Sequence, residues 1–142
     1  MSHREKRKVV KPHATVFVVA GSLSVGSKNL LSMISSEAKK QGCNWKVAGT
    51  SEGRRAIRMF PKLNPDAVVI ADNLSDLAPK ALLQHLKKQR EEQKNGGFYS
   101  AMLGYDFEGN YGDPRLGFDA YHPEPDQAVV EDLVENIRSY LG

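Results

Sequence analysis

Apolar residues run without a break through Thr15-Val-Phe-Val-Val-Ala20 and stop at Gly21, the pattern of a central strand buried on both faces. Leu30, Leu31, Ile34 and Ala38 then recur at helical spacing, and Gly42 ends that helix. Trp45 to Gly49 reads as a second, short strand. Ala56, Ile57, Phe60 and Leu63 predict a second helix, closed by Asn64-Pro65. Asp66-Ala-Val-Val-Ile-Ala71 is again continuously apolar after its first residue and predicts a third strand. Pro79 suits the first turn of a third helix, with Leu82, Leu83 and Leu86 inward and a polar end near Lys94. Tyr99 to Leu103 predicts a fourth strand and Phe118 to Tyr121 a fifth. Val130, Leu133, Val134, Ile137 and Leu141 form the apolar stripe of a last helix.

Strands alternating with helices imply an α/β fold, because right-handed crossovers place helices on both faces of a parallel sheet. Five such strands fit the three-layer, flavodoxin-like order 2-1-3-4-5. The connection between the fourth and fifth strands breaks the rhythm. Residues 104–117 hold four glycines and a proline, so the fourth crossover helix is expected to be shortened or replaced by loop.

At 142 residues the chain has the length of one domain, large enough to bury a core without disulfides. The lone Cys43 excludes an internal disulfide and fits a reducing compartment. The apolar run Ala14 to Ala20 is too short to cross a bilayer, and with no signal pattern the expectation is a cytoplasmic protein. The formal charge of +3 is unevenly spread: residues 1–12 hold +4, with Arg4, Lys6, Arg7, Lys8 and Lys11 against Glu5. Residues 1–13 are therefore expected to be a basic flexible tail, and 14–142 the folded domain.

Two segments resemble the receiver domain of two-component response regulators. Asn64-Pro-Asp-Ala-Val-Val-Ile-Ala-Asp-Asn-Leu-Ser-Asp76 looks like that family's third strand and following loop. Gly117-Phe-Asp-Ala-Tyr-His-Pro-Glu-Pro-Asp126 looks like its fifth strand and the turn into the last helix. The likeness covers about residues 14–142 and implies a signalling module. It also implies where the chemistry would sit, and there the residues depart from the family. The acidic pair that holds Mg²⁺ falls on Ala20 and Gly21, and the phosphoacceptor aspartate on Ala71. The hydroxyl residue falls on Gly104 and the phosphate-neutralising lysine on Glu124. Without carboxylates a divalent ion loses its oxygen ligands, and a glutamate in place of lysine repels an incoming phosphate. Asp72 lies one residue past the acceptor position, which in a strand turns its side chain to the other face. Tyr121 falls on the family's switch-aromatic position, and the resemblance implies a cis Glu124–Pro125 bond.

Other patterns fit less well. Gly21-Ser-Leu-Ser-Val-Gly26-Ser-Lys28 follows a strand and opens a helix, as a phosphate loop does. Ser27 nevertheless separates Lys28 from the glycine, and Asn29 takes the place of a Mg²⁺-binding hydroxyl. A nucleotide- or phosphate-binding protein using Gly21 to Lys28 is the alternative function. Asp106, Glu108, Asn110 and Gly112 hint at a calcium loop, but Tyr111 and Gly117 occupy its glycine and bidentate-glutamate slots. Histidine and cysteine show no metal spacing, and no nucleophile stands with a base, so neither a metal, a cofactor nor an enzyme activity is expected. Arg54, Arg55 and Arg58 make a compact basic patch, and DNA or RNA association is expected only through it or the tail. The reading that unites these features is a phosphorylation-independent pseudo-receiver, acting on a protein partner or a second copy of itself and not on a membrane. Its expected partner surface is the glycine-rich, aromatic segment holding Tyr105, Phe107 and Tyr111, because aromatic side chains supply large contact areas.

Overall fold

Val16, Phe17, Val18 and Val19 are fully buried, as a β-branched run between two helical layers requires. The computed structural model describes residues 14–25, 27–93, 96–104 and 117–142. In chain order the elements are β1 (Ala14–Val19), β2 (Ser24–Val25), β3 (Lys28–Asn29), α1 (Leu30–Lys40), β4 (Trp45–Thr50) and α2 (Gly53–Leu63). They continue with β5 (Ala67–Ala71), α3 (Pro79–Gln93), β6 (Tyr99–Leu103), β7 (Ala120–His122) and α4 (Gln127–Leu141). Five strands form one parallel sheet in the order β4-β1-β5-β6-β7, the flavodoxin-like arrangement expected from the sequence.

Alternation along the strands divides the core into two layers. Val16, Val18, Val69, Ala101 and Leu103 pack beneath α1 and α4. Phe17, Val19, Val68, Ile70 and Met102 pack beneath α2 and α3. Cys43 and Trp45 are half-buried against the first layer, so the lone cysteine is a packing residue.

Two details depart from the sequence reading. The fifth strand begins at Ala120, which pairs with Ala101, and extends through His122. Just before the strand, Asp119 donates its amide to the Ser100 carbonyl at 3.0 Å, and its carboxylate accepts from the amide and the hydroxyl of Ser100 at 2.8 and 3.1 Å. The two-residue strands β2 and β3 form an antiparallel hairpin that no periodicity announces.

Helix α2 contains Pro61, which has no N–H to give the carbonyl four residues earlier. That carbonyl, on Ile57, accepts instead from Gln89 Nε2 of α3 at 3.1 Å. Near the end of α3, Arg90 is buried with its guanidinium against the edge-on pair of Phe60 and Phe98 rings, 4.9 and 5.1 Å from their centroids. It donates to the carbonyls of Pro65 at 2.6 Å and Gly96 at 2.9 Å, tying α3 to the amino-terminal ends of β5 and β6.

Candidate functional site

Strand register brings the expected site positions to one edge of the sheet. Val19 pairs with Ile70, Ala71 with Leu103, and Leu103 with His122. The ladder then runs one residue further: the amides of Ala20, Asp72 and Gly104 donate to the carbonyls of Thr50, Leu103 and His122 at 3.2, 3.0 and 2.8 Å. Ala20, Ala71, Asp72 and Gly104 therefore stand side by side at the carboxyl ends of β1, β5 and β6, where open α/β sheets bind ligands. Ala20, Ala71 and Gly104 are buried and Asp72 is half-buried. Glu124 lies two residues beyond β7 and is exposed. Its bond to Pro125 is trans, not cis as the resemblance implied. The chain enters α4 in the ordinary isomer, with Pro125 buried and Asp126 capping the helix by accepting from the Val129 amide at 2.8 Å. Among the described residues no three His, Cys, Asp or Glu side chains stand together as a metal site.

The loop from β5 to α3 is anchored on both sides. Asn73 Oδ1 accepts from the Gly21 amide at 2.7 Å, and a Cβ built on Gly21 would fall on the Asn73 carbonyl oxygen. The loop thus closes directly over the end of β1. Three residues on, both oxygens of Asp76 accept from the first amides of α2, Gly53 and Arg54, each at 2.9 Å. Glu52, the formal N-cap of that helix, makes no side-chain cap. Hydrogen bonds from the Arg54 and then the Gly53 amides hold the Asp76 carboxyl below its usual range. Asn73 and Asp76 are the residues that sequence reasoning missed. Their type suits capping, but their partners lie 52 and at least 22 residues away, which no local pattern reveals.

No family model and no curated protein matches the chain. Solved structures do. A DNA-binding response regulator of the LuxR family from Staphylococcus aureus is 16% identical, with a TM-score of 0.65 over 91% of this chain and 99% of that one. The response regulator domain of Thermotoga maritima CheB is 17% identical, with a TM-score of 0.66 over 90% and 96%. The chemotaxis response regulator CheY4 of Vibrio cholerae is 16% identical, with a TM-score of 0.64 over 87% and 98%. The fold is that of a receiver domain.

Within this receiver fold Tyr121 packs half-buried against the α2/α3 layer, and its hydroxyl accepts from the Phe118 amide at 3.2 Å. The two rings meet edge-on, 5.9 Å apart. His122, on the opposite side of β7, is buried facing α4, with Nε2 3.5 Å from Asn136 Nδ2. Burial lowers its pKa below 6.5, against a smaller pull upward from Asp132.

The phosphate-loop alternative meets an obstacle at α1. Asn29 Oδ1 already accepts from the amides of Leu31 and Ser32, and the Leu30 amide donates to Leu23. The first three amides of α1, which would face a phosphate at the helix start, are occupied within the chain. Tyr105, Phe107 and Tyr111, like the calcium-loop pattern around them, lie outside the described residues, as does the basic tail. Among the described residues no helix is long and apolar enough to cross a membrane.

Proposed function

We propose that the chain is a receiver-like signalling module that works without phosphorylation, by docking on a protein partner. One observation carries the reading: the positions where a receiver would bind Mg²⁺ and phosphate are Ala20, Gly21, Ala71 and Gly104, none of which offers a side-chain oxygen, and Asp72 is a single carboxylate beside them. The contact of Asn73 with Gly21 supports it further, since it takes the space an acidic side chain there would need. With no phosphoryl group to favour one conformation, the module presents a constant surface to its partner. Incubation with acetyl phosphate and Mg²⁺ should leave the intact mass unchanged. A phosphate adduct that disappears in Asp72→Asn would overturn the proposal.

The partner surface belongs to the segment after β6. Alanine at Tyr105, Phe107 and Tyr111 should weaken capture of the native partner and leave the melting temperature nearly unchanged. Undiminished capture would place the surface elsewhere, and a large loss of stability would place the rings in the core.

A further inference from the structure

The two helices over one face of the sheet carry most of the folded chain's positive charge. Helices α2 and α3 together hold eight Lys and Arg residues against Glu91 and Glu92, a net +6. The tail holds +4 of the total +3, so every remaining residue together sums to −7. On α2 the cations Arg54, Arg55, Arg58 and Lys62 are all exposed, while Ala56 and Phe60 on the other side are buried. Arg54, Arg58 and Lys62 recur every four residues, a row of cations about 6 Å apart along the helix. Among the described residues no hydrogen bond or ion pair engages these four side chains. Asp76 interacts with the Arg54 charge, but both its carboxylate oxygens are taken up by the amides of Gly53 and Arg54.

We infer that the exposed face of α2 binds the phosphate backbone of nucleic acid without reading its sequence. Three of the four cations are arginines, whose planar fork donates two parallel hydrogen bonds to a phosphate. A protein partner would be anchored by apolar side chains at the centre of the contact. This face offers none: the exposed large apolar residue among those described is Tyr140, on α4 across the sheet. An anionic membrane would be gripped by an inserted apolar stripe, and that of α2 is spent in the core. A surface whose exposed α2 side chains are mainly cations, with no exposed aromatic ring on α2, matches backbone contact.

The test is fluorescence anisotropy of the full chain with a fluorescein-labelled, mixed-sequence duplex of about 20 base pairs, at several salt concentrations. Three to four phosphate contacts give a loss of roughly 40- to 150-fold in affinity between about 50 and 200 mM salt. The triple variant Arg54→Gln, Arg55→Gln, Arg58→Gln should bind at least about tenfold more weakly at low salt and flatten the log–log salt slope by about 3. Lys39→Gln, Lys40→Gln, Lys46→Gln changes net charge equally on α1 and β4 and should bind like the wild type, with circular dichroism verifying both folds. Equal weakening in the two variants would reduce the effect to net charge and overturn the inference. So would full loss on neutralising Arg4, Lys6, Arg7, Lys8 and Lys11 with none on neutralising α2. Binding to phosphatidylserine vesicles but not to the duplex would overturn it as well.

Discussion

His122 makes the stability of the protein sensitive to mild acid. The buried imidazole takes a proton only below 6.5, whereas the unfolded chain takes it near that value. As pH falls through this window the unfolded state binds more protons, so stability is full above it, declines within it and levels off below the folded pKa. The melting temperature should therefore fall as pH drops below 6.5, and His122→Gln should remove that part of the dependence. An unchanged profile would mean that another group governs it. At this scale the sequence was only partly legible. Runs of buried residues such as Val16 to Val19 announce themselves by composition. His122 does not, because its burial and its contact with Asn136 arise only where the last helix packs against the sheet. Asn73, Asp76 and Arg90 stayed hidden for the same reason: each is defined by a partner distant in sequence.

Among the elements, α2 depends on its neighbour for its own backbone bonding. Pro61 leaves the Ile57 carbonyl without its helical donor, and Gln89 of α3 supplies one. Gln89→Ala should cost about 1 kcal/mol in urea unfolding of the wild type. In a Pro61→Ala background the restored backbone N–H serves Ile57, and the same substitution should cost close to nothing. Equal costs in both backgrounds would show that the two residues are not coupled. The identity of the longer helices and strands was readable because an apolar run or a helical period is closed by a stop signal such as Gly21, Gly42 or Asn64-Pro65. The start of β7 carries no local signal because Asp119 is bonded to Ser100 through its side chain as well as its backbone, and the β2–β3 hairpin is too short to carry a period.

For the molecule as a whole, the two core layers share β1, β5 and β6, whose residues alternate between them. Neither layer can lose its strands without exposing the other, so unfolding should be a single cooperative transition. Trp45, the chain's one tryptophan, sits on the edge strand β4 against the α1/α4 layer, while far-ultraviolet circular dichroism reports helices on both faces. The two signals should give coincident urea curves. A fluorescence transition that precedes the loss of ellipticity would reveal an edge that frays independently.

The contact between Gly21 and Asn73 also bears on what this chain can become. Any side chain placed at position 21 meets the backbone oxygen of Asn73, and backbone, unlike a side chain, cannot be rotated out of the way. Metal chemistry at this edge therefore cannot be built one substitution at a time beginning there. The loop from Asp72 to Ala78 would have to be reshaped first, and it is fastened at Gly21 and at the start of α2. The order of changes is constrained by geometry, and anyone who would redesign the site has to begin with the loop.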